Sequence, residues 1–459
     1  MDPTRLHGLL SRAAAAAAEH RASVGDRSMA ATVPVESVRE RFARPLEAKG
    51  TPAEEVLDEL IAATEGAITG TVGPRFFGFV IGGALPAATA ADILATGWDQ
   101  PAFNDVLAPA AGAAERAAGT WLKELLGIPA TASAGFVTGA QAANTVGLAV
   151  GRHEVLAAAG WDVERDGLAG APHLRVVASA ERHATVDRAL RLLGLGTASL
   201  EVVPADANGA IDVDALGTAL SASEAAPTLL CLQAGNVNTG ACDDFVRAIP
   251  LAHEHGAWVH VDGAFGLWAG ASPRTAYLVE GVAEADSWGT DAHKWLNVPY
   301  DCGLAFCRDP AMHAATMSYT AAYLTGSGGA DYVLGDLTPE SSRRARGFAV
   351  WAALRELGSD GVAELVDRCC ALARRMAERL EAGGATVHND VVLNQVLVSF
   401  GDPARTDAIT GAVQRDGTCW VGATTWQRQR LMRVSVSNWT TTEHDIDLSA
   451  EAILRAAGG

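Results

Sequence analysis

Asp286-Ser287-Trp288-Gly289-Thr290-Asp291-Ala292-His293-Lys294-Trp295-Leu296 is the stretch from which the fold can be read. A short strand leads into a lysine, and the turn Asn297-Val298-Pro299-Tyr300 follows. A side chain just past the end of a strand in an open α/β sheet faces the crevice where such sheets bind ligands. Outward from this stretch the same unit recurs. Short, mostly apolar runs at Leu174–Ala178, Leu200–Val203, Thr228–Leu232, Ala257–Val261 and Gly303–Cys307 predict strands. Helical spacing predicts helices over Ala110–Leu126, Gln141–His153, Ala184–Gly194 and roughly Val213–Ala222. Strands that alternate with helices imply an α/β fold with a mostly parallel sheet covered on both faces. This large domain is expected over residues 75–317.

The flanks read differently. Residues 1–74 form an N-terminal helical segment, with the Ala13–Ala18 run inside one helix and Pro52–Ile68 in another. Residues 318–340 are rich in Gly, Ser, Thr and Tyr and read as a mobile loop. Residues 341–459 form a smaller α+β domain. Its predicted helices run from about Ser341 to Leu357 and over Val362–Glu381, and one from Glu443 closes the chain. Its predicted strands are Asn394–Phe400 and Met432–Val436.

Composition narrows the function classes. Hydrophobic residues make up 49% of the 459, enough for a large core. A net charge of -19 argues against a nucleic-acid partner, which needs clustered Lys and Arg. No stretch reads as a targeting signal or a membrane span. The seven cysteines include no C-x-x-C pair, so neither a disulfide framework nor a zinc site is indicated, and a reducing cytoplasm is expected. Only three of the 35 basic residues are lysines: Lys49, Lys123 and Lys294. Arg stays protonated in proteins, whereas a buried Lys can lose its proton and act as a nucleophile.

Four features at predicted sheet edges then stand in chain order. Gly135-Phe136-Val137-Thr138-Gly139-Ala140-Gln141 is a small-residue turn running into a helix, whose free N–H groups suit a phosphate. Ala180-Glu181-Arg182-His183 puts an imidazole after a strand. In Ala257-Trp258-Val259-His260-Val261-Asp262-Gly263-Ala264 an acid ends a buried strand, where it needs a cationic or donor partner. Ala264, two residues on, is small enough to admit a flat ring. Lys294, beside His293, completes the series. Each alone is equally compatible with a cap, a turn or a structural histidine. Together they describe a phosphate seat, a ring-stacking imidazole, a carboxylate for a pyridine nitrogen, and an amine, which is the outline of a pyridoxal 5'-phosphate (PLP) site.

The segments His260-Val261-Asp262-Gly263-Ala264 and Asp291-Ala292-His293-Lys294-Trp295 resemble the signatures of the PLP-dependent group II amino acid decarboxylases, which include aromatic-amino-acid and glutamate decarboxylases. Arg75-Phe76-Phe77-Gly78, Trp121-Leu122, Arg343-Arg344 with Trp351, and Leu431-Met432-Arg433-Val434-Ser435 extend the resemblance from about Pro74 to the C-terminus. The resemblance implies fold type I of the PLP-dependent transferases and decarboxylation of an L-amino acid to its amine and CO2. It makes Lys294 the Schiff-base lysine and Asp262 the partner of the pyridine nitrogen. His183 would stack on the ring, Ala264 would lie beside it, and Ala140, Gln141 and His293 would reach the phosphate. Arg433 would hold the substrate's α-carboxylate, and Tyr323 in the loop would protonate the carbanion, with Tyr332 and Tyr319 as rivals. It also implies a homodimer with its site at the interface. The eleven tryptophans, and the lack of a second lysine at the site, lean towards an aromatic or apolar substrate.

Three departures bear on these expectations. The phosphate turn reads Ala140-Gln141-Ala142-Ala143-Asn144, without the hydroxyl many relatives carry there. The lysine motif opens with Asp291 where many have Asn; a carboxylate would repel phosphate, so Asp291 is expected to face elsewhere. The loop tyrosine has several candidates. An aminotransferase or carbon–carbon lyase on the same scaffold is the alternative chemistry, and a cofactor-binding scaffold protein is the alternative from another class.

Overall fold

The computed structural model describes residues 3–198, 200–222, 226–319 and 333–458. Its main sheet has seven strands: β1 (Ser133–Val137), β2 (Arg175–Ser179), β3 (Leu200–Val203), β4 (Thr228–Gln233), β5 (Trp258–Asp262), β6 (Ser287–Asp291) and β7 (Gly303–Cys307). They lie in the order β1-β7-β6-β5-β4-β2-β3. Only β7 runs against its neighbours; the other pairs are parallel. Every residue of β2, β4, β5, β6 and β7 is buried, as expected where helices cover both faces. The predicted strand Met432–Val436 is observed as Gln429–Ser435, whereas the strands predicted for the main sheet lie within a residue of those observed. The one that periodicity does not single out is β1, Ser-Ala-Gly-Phe-Val, whose small residues carry weak strand propensity. Its Gly135 is required by packing, since a Cβ there would collide with the Leu337 carbonyl.

The helix Ala140–Ala158 crosses one face of this sheet and passes very close to it. A Cβ on its Gly147 would strike His260, and one on its Gly151 would strike Trp258. These glycines seat the helix so that its N-terminus meets the carboxyl ends of β5 and β6.

The smaller sheet holds β8 (Thr386–Val387), β9 (Gln395–Ser399), β10 (Gly422–Trp426) and β11 (Gln429–Ser435), all antiparallel, in the order β10-β11-β9-β8. The two helices predicted after residue 341 form one run, Gly347–Ala382, broken at Gly358 by a left-handed φ of 64°. This run starts at Gly347 rather than near Ser341. Before it, Arg343 turns inward to a bidentate pair with buried Glu115 (2.6 and 2.7 Å), and its carbonyl accepts the Ala102 N–H (2.9 Å). Of residues 318–340, the end at Leu334–Leu337 is a 3-10 turn with Leu334 and Leu337 buried.

Near the N-terminus, the helices Pro3–Ser23, Val35–Phe42 and Ala53–Thr64 contain no buried residue. Among the described residues, no helix is long and apolar enough to cross a membrane, and no cluster of three His, Cys, Asp or Glu could hold a metal.

Candidate active site

At the carboxyl ends of β5 and β6 lies a cavity of about 260 Å³. Ala140, Gln141, His183, Asp262, Ala264, His293 and Lys294 all line it. The sequence had placed these seven on four separate segments. Lys123, in contrast, donates to the Ala130 and Ala132 carbonyls (2.6 and 2.7 Å) and fastens a turn. Tyr323 and Tyr332 lie outside the described residues; Tyr319 is described, and its hydroxyl lies 2.9 Å from Ser341 Oγ.

Asp262 ends β5 and is buried. No cation lies within ion-pairing distance of it among the described residues. Its carboxylate accepts the Ala264 N–H (3.3 Å); Thr185 Oγ1 lies 3.5 Å away, its hydroxyl turned to His183 Nδ1 at 2.9 Å. Burial pushes its pKa up, opposed by the fields of His183 and Lys294 and by hydrogen bonds from Ala264 and Asn144. Behind it runs a relay with one consistent set of donors. Trp258 Nε1–H donates to Ser287 Oγ (3.1 Å), and Ser287 O–H to His260 Nδ1 (2.9 Å). His260 Nε2–H donates to Asn144 Oδ1 (3.1 Å), which leaves the Asn144 amide N–H groups for Thr185 Oγ1 (3.2 Å) and Asp262. The relay needs a neutral His260, and burial lowers the pKa of that imidazole to about 3.

His183 caps the helix Ala184–Leu192, with Nδ1 accepting the Thr185 N–H (3.3 Å). Nε2 is therefore its free edge. Burial lowers its pKa, with Asp262 opposing and Lys294 and Arg433 reinforcing, so the ring is neutral near pH 7. His293 is buried and accepts the Cys302 N–H at Nδ1 (3.1 Å), and its ring stacks on Tyr300 at 4.0 Å. Arg433, on β11, donates to the carbonyl of cavity-lining Val237 (3.0 Å). Among the described residues no carboxylate pairs with it, and burial lowers its pKa to about 10. It is therefore a desolvated cation whose charge reaches His183.

Asp291 overturns one expectation. It was expected to face away from the phosphate seat, yet it lines the cavity. Its Oδ1 accepts the Ala140 N–H (2.6 Å), and its Oδ2 lies 2.8 Å from Lys294 Nζ. The cause is local. The end of β6 abuts an uncapped helix N-terminus, and a carboxylate there finds both a free amide and an ammonium. Thr185 and Asn144 were also missed as supports of His183 and Asp262. Their only sequence signal was adjacency to His183 and membership of the Ala140–Asn144 turn.

The donor set suits PLP. It offers an amine at a strand end, a buried carboxylate without an ion-pair partner, a helix amino end, and an imidazole and a small residue flanking the cavity. The discordant element is Asp291 against that helix end.

Comparison with known proteins agrees. The model of the pyridoxal-dependent decarboxylase conserved domain matches residues 37–400. The aromatic-L-amino-acid decarboxylase of Bacillus atrophaeus is 28% identical over 366 residues, 78% of this chain and 74% of that protein. Tryptophan decarboxylase 1 of Oryza sativa subsp. japonica is 27% identical over 435 residues, 88% of this chain and 84% of that protein. A crystal structure of Oryza sativa TDC with PLP and tryptamine shares the fold, with a TM-score of 0.92 at 22% identity, covering 100% of this chain and 98% of that one. With a family match over most of its length and a cavity suited to the cofactor, the chain belongs to the pyridoxal-dependent decarboxylases and is a PLP-dependent amino acid decarboxylase of fold type I.

Proposed function

We propose that the enzyme decarboxylates an aromatic or apolar L-amino acid to its amine, with Lys294, Asp262, His183 and Arg433 as its working residues. The observation that carries this is the convergence of Lys294, Asp262 and His183 on one cavity. Bound PLP supplies an electron sink for the pair released as the Cα–carboxylate bond breaks. Lys294 is the amine that would anchor the cofactor. Asp262 holds the pyridine nitrogen protonated, and the neutral His260 relay keeps donors aimed at that carboxylate. Neutral His183 would flank the ring and, with Arg433, would hold and orient the substrate's carboxylate for departure. Ala140, Gln141 and His293 hold the phosphate end, and Ala264 leaves room for the ring. Tyr323 delivers the proton to Cα.

The substrate reading rests on two supports. Val237, Ala264 and Phe265 give the cavity apolar wall, and the relatives compared above act on aromatic amino acids or tryptophan. The protein works as a homodimer in the cytoplasm, without nucleic acid. Leu6, Leu10, Val56 and Leu60 on the N-terminal helices are exposed in the single chain and offer apolar surface for a second copy. The test is a screen of the standard amino acids with added PLP, measuring CO2 against keto acid, with sedimentation for the dimer. Phenylalanine, tyrosine or tryptophan should give stoichiometric CO2 and amine. Keto acid without CO2, or turnover confined to acidic amino acids, overturns the reading.

A further inference from the structure

The carboxylate of Asp291 occupies the place where a cofactor phosphate has to be received. It accepts the Ala140 N–H at 2.6 Å and sits 2.8 Å from the Lys294 ammonium. It is buried, and a Cβ on Gly139 would press on both Oδ1 and the His293 ring, so the glycine leaves this corner of the cavity open. Loading the cofactor sets a competing anion at one of its two electrostatic supports, the helix end, and leaves it the other, Lys294. A phosphate then arrives at the helix end that Asp291 has been capping. Two anions brought within contact distance in a buried site do not both stay ionised; they share a proton.

We propose that Asp291 makes phosphate capture proton-linked, one additional proton being bound and held between its carboxylate and the cofactor's phosphate. This rests on the reading of the Ala140 helix end as the phosphate seat. Proton balance is simple, because the proton comes from solvent and no bond other than O–H is made or broken. The groups facing Asp291 are Lys294 and His293 on its own segment, His183 ahead of the helix Ala184–Leu192, and Tyr300 and Cys302 before β7. Asp262 lies across the cavity. The helix Ala140–Ala158 brings only amides and neutral Gln141 to the cavity. Burial keeps His293 largely neutral, so it does not supply the missing charge. An Asn at position 291 would keep an acceptor for the Ala140 N–H without the negative charge.

The experiment titrates cofactor-free protein calorimetrically with pyridoxamine 5'-phosphate, which cannot bond to Lys294, and with pyridoxamine, which lacks the phosphate. Wild type, Asp291→Asn and Asp291→Ser are compared from pH 6.5 to 8.5 in buffers of different ionisation heat. Wild type should take up about one more proton per phosphate ligand bound than either variant. Its affinity should fall by up to about tenfold per pH unit relative to theirs. Pyridoxamine binding should differ little among the three. Equal proton uptake and parallel pH curves overturn the coupling. If the substitutions change pyridoxamine binding as much as pyridoxamine 5'-phosphate binding, the phosphate seat itself is misassigned. A weaker phosphate ligand in both variants at every pH makes Asp291 a plain structural support and also refutes the proposal.

Discussion

Replacing Asp262 by Asn should move the stability of the empty protein and the affinity for its cofactor in opposite directions. In the empty protein the carboxylate is 3% exposed, has no ion-pair partner among the described residues, and is held by neutral donors alone, the Ala264 N–H (3.3 Å) and the Asn144 amide. An uncompensated buried charge costs about 3–5 kcal/mol. The fields of His183 and Lys294 offset part of this, leaving about 1–3 kcal/mol for Asn to recover. An unfolding entropy of about 2.1 cal/mol/K per residue over 459 residues makes 1 kcal/mol worth about 1 °C. Cofactor-free Asp262→Asn should therefore melt about 1–3 °C above wild type. The sign with pH follows from the raised pKa. A carboxyl whose folded pKa lies above its unfolded value favours the folded state most when protonated, and loses that advantage as pH rises through the folded pKa. The gap between variant and wild type should widen upward from about pH 4, the unfolded carboxyl's range, and level off above the raised pKa. In the loaded protein the order reverses. Loss of one charge-assisted bond to the pyridine nitrogen, about 1.5–3 kcal/mol, weakens PLP binding roughly 10- to 150-fold. Scanning calorimetry of the empty protein and spectroscopic titration with PLP read the two halves. A variant that melts lower when empty and binds PLP as tightly as wild type refutes the reasoning.

Arg433→Met should lower kcat/KM for the amino acid about 10- to 150-fold, the worth of one charge-assisted hydrogen bond, with the PLP spectrum retained; steady-state kinetics on reconstituted protein check it. Arg343→Met strands a buried Glu115 carboxylate and should cost about 3–5 kcal/mol, whereas the double variant with Glu115→Leu should recover most of that in urea denaturation. Tyr323→Phe should slow amine formation about 10²- to 10⁴-fold, the usual worth of a positioned acid. Tyr319→Phe, whose hydroxyl lies beside Ser341, should be near wild type in the same amine assay.

Much of the fold was legible because burial on both faces writes a parallel strand as a short apolar run, as in Thr228–Gln233 and Trp258–Asp262. The strand Ser133–Val137 was not, because its small residues serve packing against Leu337 rather than strand propensity. The turn before Gly347 reads as helix locally; the pairing of Arg343 with Glu115 and the antiparallel backbone bonds to Gln100 and Ala102, all from distant segments, hold it out of the helix. Within the site, residue types and chain order were enough to single out Lys294, Asp262, His183 and His293, since each chemistry needs a particular side chain at a strand end.

What the sequence by itself determined is therefore the inventory: an amine, a buried acid, two imidazoles and a helix amino end, in an order that only a few chemistries use. Tertiary structure decided the direction in which each group faces. Asp291 shows the difference. Its identity was plain, and its charge argued that it should turn away from a phosphate. The uncapped Ala140 N–H and the Lys294 ammonium, brought to it from one residue far off in the chain and one close by, draw it into the cavity instead. Electrostatic preference depends on which neighbours are within a few ångströms, and for a group at the end of a strand those neighbours come from packing.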